Sequence, residues 1–229
     1  MNLHLPTSSA SASNTKAWRI RACYWVALIL LLISTVGIGY AQETVNPNAA
    51  PNDFVLAVGN NALNAVRQDA AAKQGDTRRI NELVDQYLLP YVNFEKTTRL
   101  AAGQGWRNAT AQQRKDLVHA FRGSLIRTYG SALAKVDRIA ALNVLPFRGD
   151  INAPDVVVRT TFSQYNGPDV GVDYRLEKTP QGWKIYDLNV EGIWLIQNYR
   201  NQFSQQIRQN GIDGLIEALN QKNQQASRQ

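Results

Sequence analysis

The chain has 229 residues, 44% of them hydrophobic, a formal charge of +7 and a single cysteine. This is length and apolar material enough for one sizeable core, which excludes a disordered chain, and one cysteine excludes a scaffold held by disulfides. Residues 1–41 differ in composition from the rest: a Ser/Asn/Thr-rich start leads to Lys16, Arg19 and Arg21, then to an apolar run from Ala22 to Ile38, then to Gly39 and Ala41. A basic segment, an apolar segment and small residues before the boundary predict a secretory signal at 1–41. The alternative is an uncleaved anchor, because the apolar run is near the length that crosses a bilayer. Cleavage after Ala41 removes Cys23, which sits at the start of the apolar run rather than after it and so offers no lipid attachment site. It also leaves 22 basic against 18 acidic residues, a balance of +4. That surface suits anionic lipid headgroups and is too mild for nucleic acid.

Gln42 to Pro51 is polar and Pro/Asn-rich and reads as a flexible spacer at 42–51. The domain is expected over 52–220. Asn52 is the expected cap of a helix with Phe54, Val55, Val58, Ala62 and Val66 on one face. Gln74-Gly75-Asp76 ends it and starts another, with Ile80, Leu83, Val84, Tyr87 and Leu88, which Pro90 breaks. Asn93 begins a short helix that stops at Gly103-Gln104-Gly105. After Trp106, Thr110-Ala-Gln-Gln113 has the pattern of a capping box. The stripe Leu117, Val118, Phe121, Leu125, Tyr129, Leu133 and Val136 then predicts a long helix.

Four strands follow, over Ile139 to Phe147, Asp155 to Tyr165, Asp169 to Lys178 and Trp183 to Val190, with turn residues between them. In the third, Val170, Val172, Tyr174 and Leu176 alternate with Gly171, Asp173, Arg175 and Glu177, so one face is covered and the other wet. Tyr186, Leu188 and Val190 share a face by the same period. Helices resume from Ile193, Asn210-Gly211 closes one, Asp213 to Leu219 forms the last, and 221–229 is a polar tail. Helices, an antiparallel meander, then helices predict a single α+β domain: a twisted antiparallel sheet of four to five strands wrapped by N- and C-terminal helices.

Little here can do chemistry. After cleavage His119 is the only histidine and no cysteine remains, so no zinc site or cysteine nucleophile can be assembled. His119 reads as a half-exposed helix residue. Asp187 and Glu191 read as orienting the corner between strand and helix, Asp187 through backbone hydrogen bonds and Glu191 near a helix N-terminus. A covered α+β sheet also describes isomerases and dehydratases with an acid in an apolar pocket, for which Asp173 and Asp187 are the candidates, but alternation turns Asp173 away from any cavity. A non-catalytic interaction module stays open as a third class.

The segment Gly182-Trp-Lys-Ile-Tyr-Asp-Leu-Asn-Val-Glu-Gly-Ile193, with Asn198-Tyr-Arg200 and Phe203 after it, resembles the MlaC or toluene-tolerance family of periplasmic phospholipid carriers. Trp106, Gln112-Gln113-Arg114, Phe121, Thr128-Tyr129, Val172-Asp-Tyr174 and Gly211-Ile-Asp213-Gly-Leu215 extend the resemblance over Phe54 to Leu219. Trp194 departs from it, since many relatives have a small residue there; an indole at that point would narrow a channel or cover its mouth. The resemblance implies an NTF2-like or cystatin-like fold with an apolar cavity between sheet and helices. It implies a monomeric, non-enzymatic periplasmic shuttle without cofactor, which carries phospholipid between an outer-membrane lipoprotein–porin complex and an inner-membrane ABC transporter with an MCE-domain subunit, and so keeps the outer membrane asymmetric and solvent-tolerant. Acyl chains would then meet Phe121, Leu125, Tyr129 and Leu133 from the long helix, Val144, Val158, Phe162, Val172 and Tyr174 from the strands, and Leu195, Tyr199 and Phe203 from the C-terminal helix. About half of these are expected to touch lipid and the rest to be plain core.

Overall fold

The computed structural model describes residues 44–226, which belong to one compact unit. The expected signal at 1–41, with Cys23, lies outside them. Helix α1 spans Pro51–Gln68 and has its proline at the first turn, where the missing N–H costs nothing. Asn52 is not its cap. Its side chain instead donates to the Leu145 carbonyl at 3.1 Å. Local signals hold better further on. Asp69 caps the short α2 (Ala70–Lys73), Asp76 accepts from the Arg79 N–H to cap α3 (Thr77–Tyr87), and Asn93 caps α4 (Phe94–Ala102) through the Lys96 N–H. After α5 (Gln104–Asn108), the Gln113 N–H donates to Thr110 Oγ1 at 3.1 Å and the Thr110 N–H to Gln113 Oε1 at 2.9 Å, a reciprocal box at the start of α6 (Ala111–Ala134).

The sheet runs β1 (Ile139–Val144), β2 (Asp155–Gln164), β3 (Val170–Thr179), β4 (Gly182–Val190) and β5 (Ile193–Trp194), in that spatial order and antiparallel throughout. The two-residue β5 stands where the helix was expected to begin, because Glu191 and Gly192, at φ 50° and 89°, fold the chain back onto β4. Arg175 pairs with Asp187 but Leu176 with Ile185, so Tyr186 is bulged out and leaves the face it was expected to share with Leu188 and Val190. α7 (Leu195–Ala226) bends at Gly211, whose φ of 70° breaks the helical path.

Two expectations fail for tertiary reasons. The stretch 45–51 is not a free spacer: Val45 is buried, and the Pro47 carbonyl accepts from the Trp183 N–H at 2.7 Å while Ala49 accepts from its indole. Gly182 permits this, at φ 99° with its missing Cβ only 2.4 Å from the Pro47 oxygen. Nor is 221–226 a loose tail, since it continues α7 and Asn223 donates to the Ala120 carbonyl at 3.0 Å.

Among the described residues, buried apolar side chains form three clusters. One holds α4, α6 and α7 together, one joins α1 to β2–β4, and one links the end of α1 to α3 and α6. α1 lies along β1, tied by Asn52 at Leu145 and by Arg67, which donates to the Ile139 carbonyl at 2.8 Å. Gly59 allows the approach: a Cβ there would stand 2.4 Å from Leu142. No helix among the described residues is long and apolar enough to cross a membrane.

Candidate functional site

Strand alternation and register put Val156, Val158, Thr160 and Phe162 of β2 on one sheet face with Val170, Val172, Tyr174 and Leu176 of β3 and with Ile185, Leu188 and Val190 of β4. One end of this face is sealed. Val156, Val158, Leu176 and Ile185 are buried under Phe54, Val55 and Val58 of α1. Toward the other end the cover thins. Tyr174 and Leu188, opposite each other, are half-buried; Val172 is half-buried beside Val190, which is 38% exposed; Phe162 and Val170 form a further half-buried pair. α6 packs mainly on α7, α3 and α4 rather than on the strands.

Tyr174 lies half-buried at the edge of the sealed end. Burial pushes its hydroxyl up to about 12, with the Thr160 hydroxyl opposing, yet the side chain keeps accessible surface. Thr160 itself is buried and satisfied, donating to the Val172 carbonyl at 2.9 Å.

The twelve wall candidates therefore separate. Phe121 packs on Phe94, Tyr199 and Phe203 at ring distances of 5.6, 4.8 and 4.9 Å, so Phe121, Tyr199 and Phe203 form a filled aromatic core. Burial raises the Tyr199 hydroxyl as well. Val158, 1% exposed, belongs to the sealed end. Leu125 and Leu195 sit half-buried on the rim of the helical cluster, and Val144 and Tyr174 on the rim of the α1 cluster. Phe162 and Val172 are half-buried between clusters, and Tyr129 is 40% exposed. Leu133 lies in α6, its side chain outside the description. Val170, Leu188 and Val190 were not among the candidates, although their period-2 spacing carried the signal.

The opposite face is polar. Asp173 lies there, opposite Arg159 and Asn189. The Asp187 side chain has no exposed surface and accepts from the Leu188 N–H and the Ile196 N–H, both at 3.0 Å, and from Arg175 at 2.9 Å. Burial raises its carboxyl above the ordinary value while these donors oppose. The Arg175 guanidinium stacks over Trp194 at 3.8 Å, and Trp194 pairs with Asn189, so the indole lies on the polar face and neither narrows nor covers the apolar one. Asp187 thus ties β4 to the start of α7. Glu191 and His119 are exposed, and no group of three or more His, Cys, Asp or Glu among the described residues could hold a metal. Two polar surface clefts, of about 340 and 300 Å³, are lined by residues such as Asn93 and Lys184 or His119 and Arg122, and neither includes the apolar face.

Residues 57–221 match the family described as MlaC protein. The toluene tolerance protein ttg2D of Pseudomonas putida is 24% identical over 164 residues, 71% of this chain and 75% of its own. The intermembrane phospholipid transport system binding protein MlaC of Haemophilus influenzae is 24% identical over 201 residues, 86% of this chain and 92% of its own. A solved structure of a phospholipid-binding protein from Ralstonia solanacearum, in complex with a phospholipid, is 38% identical with a TM-score of 0.73, covering 79% of this chain and 99% of that one. The chain belongs to the MlaC family.

Proposed function

We propose that the protein is a periplasmic phospholipid carrier, which holds acyl chains against the open end of the apolar sheet face and passes the lipid between an outer-membrane lipoprotein–porin complex and an inner-membrane ABC transporter with an MCE-domain subunit. The observation that carries this is an apolar face sealed at Val156, Val158 and Leu176 and left half-covered at Phe162, Val170, Val172, Leu188 and Val190. An ordinary core of this size would be close-packed throughout. The phospholipid in the 38% identical relative agrees with it. Leu125, Val144, Phe162, Val172, Tyr174 and Leu195 of the wall candidates, with Val170, Leu188 and Val190, line the site in this reading; Phe121, Val158, Tyr199 and Phe203 support it from behind.

Binding without reaction is sensible energetics. Roughly thirty buried methylenes at about 0.8 kcal/mol each amount to a gross transfer from water on the order of 20 kcal/mol. The lipid, however, leaves a bilayer as apolar as the site, so net transfer lies near zero and partner proteins govern loading. Headgroups stay outside, which predicts broad headgroup tolerance. Native mass spectrometry of the purified protein tests the reading: a co-purified phospholipid mass supports it, and a lipid-free protein that takes up none from vesicles refutes it.

A further inference from the structure

The half-covered end of the apolar face is bordered by a short segment unlike the rest of the sheet. Val190 pairs with Val172 on one side and with Ile193 of β5 on the other, so the apolar row crosses from β3 through β4 onto β5. Its last two side chains are the most exposed, Val190 at 38% and Ile193 at 64%. The turn between them is strained. Glu191, at φ 50°, is the only non-glycine residue with positive φ among the described residues, whereas a two-residue turn with positive φ at both positions prefers Asn-Gly.

Strain of this kind persists only where neighbours hold it. Asp187 pins the base: its Oδ1 accepts from the Leu188 N–H and from the Ile196 N–H, both at 3.0 Å, which closes residues 188–196 into a loop. Three lighter ties hold the loop down. The Glu191 N–H donates to the Gly171 carbonyl at 3.1 Å, the Gly192 N–H donates to Asn189 Oδ1 at 2.8 Å, and the Arg175 guanidinium covers the Trp194 ring at 3.8 Å. β5 itself pairs with β4 at two positions, and an added Cβ at Gly171 or Gly192 would meet nothing within 4 Å. The helices around the sheet are held more firmly, α1 by Asn52 and Arg67 at the two ends of β1, and α6 and α7 by the cluster of Phe121, Tyr199 and Phe203.

We infer that residues 190–194 form a flap on the lip of the apolar site, hinged above Asp187 and latched by Arg175 on Trp194, which lifts to let the acyl chains of a phospholipid on and off the sheet. This rests on the carrier reading proposed above. A carrier must cover the chains in water and still release them, and the least-tied element at the exposed end can move without disturbing a packed core. Lifting β5 uncovers the edge of β4 beside Val190, so a chain can slide off the face sideways instead of being drawn out along its length. The strain at Glu191 favours lifting and the ties on the polar face oppose it, which gives the segment two states.

The test locks the flap. Asn189 and Trp194 are cross-strand partners on the polar face, so Asn189→Cys with Trp194→Cys brings two thiols within disulfide reach and leaves the apolar face untouched. The chain's single cysteine, Cys23, lies in the expected signal and does not compete. The full protein is loaded with phosphatidylglycerol bearing a fluorescent acyl chain, and transfer to phosphatidylcholine vesicles is followed with and without reductant. Oxidation should slow transfer at least about tenfold, and reduction should restore it. Equal rates in the two states would overturn the flap while leaving the carrier reading intact, because lipid still moves. A parent protein that takes up no lipid would instead remove the carrier reading, and the flap with it. A second comparison does not depend on the new cysteines. Glu191→Asn gives the turn its preferred Asn-Gly pair and should slow transfer about fivefold relative to Glu191→Gln, which removes the same charge without favouring positive φ. Equal transfer by these two variants, both at an exposed position, would also overturn the flap.

Discussion

A bulky residue added at two positions on the same sheet face should have opposite consequences. Val158 pairs with Tyr174, is 1% exposed and lies under Phe54, Val55 and Val58; Val172 pairs with Thr160 one row further, about 7 Å along the strand, and is half-buried. Val158→Trp forces an indole into close packing, which costs typically 1–3 kcal/mol. For a domain of this size each kcal/mol lowers Tm by about 2–4 °C, so the fall should be about 2–12 °C. Val172→Trp places its ring at the half-covered end, so Tm should stay within about 2 °C while co-purified phospholipid drops by at least about half. Both variants are melted after delipidation, because a bound ligand raises Tm by mass action and would mask the comparison. Native mass spectrometry reads the lipid. If Val172→Trp melts as low as Val158→Trp, the row is filled core and the reasoning from exposure fails. If it folds and loads lipid normally, the acyl chains lie elsewhere on the protein.

Asp187→Ala should cost about 2–4 kcal/mol in urea unfolding, because it leaves the buried Ile196 N–H without an acceptor and frees the corner between β4 and α7. An unchanged midpoint would show that the corner stands without it. Gly182→Ala should cost about 2 kcal/mol or more, from positive φ and the collision with the Pro47 oxygen; proteolysis near residues 45–50 should rise in parallel. Alkali should unfold the protein in a defined window: burial raises Tyr174 and Tyr186 from 10.0 to about 12, so the unfolded state releases protons first, and stability held below pH 10 falls as pH rises toward 12. For Tyr174 this is about 1.4 kcal/mol per pH unit, and Tyr174→Phe should flatten the loss; a curve flat from pH 10 to 12 in the parent would contradict the burial of both hydroxyls. N-terminal sequencing of exported protein should begin near Gln42, and intact Met1 in the inner-membrane fraction would mean an anchor instead.

What the sequence made legible was local. Thr110 and Gln113 satisfy each other within one turn, and Asp76 and Asn93 cap helices through N–H groups three residues on, so spacing alone was informative. Asn52 looked equivalent and was not, because the Leu145 carbonyl, 93 residues away, took its amide. The stretch 45–51 looked free because nothing in its composition reveals the turn at Gly182 that brings β4 against Pro47. The polar end of α7 looked frayed because its anchor, the Ala120 carbonyl, belongs to α6. The site obeys the same division. Alternation told which side of β3 is apolar, since that depends on neighbours two residues apart. Whether an apolar residue is core or wall depends on what arrives opposite it, and that was set by α1, which runs along β1 past Gly59 and Leu142 and buries Val158 without burying Val172. Phe121, Tyr199 and Phe203 were placed in the wall for the same reason: each is aromatic and correctly spaced, and only the crossing of α6, α4 and α7 makes them one another's partners. In a carrier, therefore, the ligand site is the part of the apolar pattern that the fold leaves without a partner, and it becomes visible only when every other apolar residue has been assigned one.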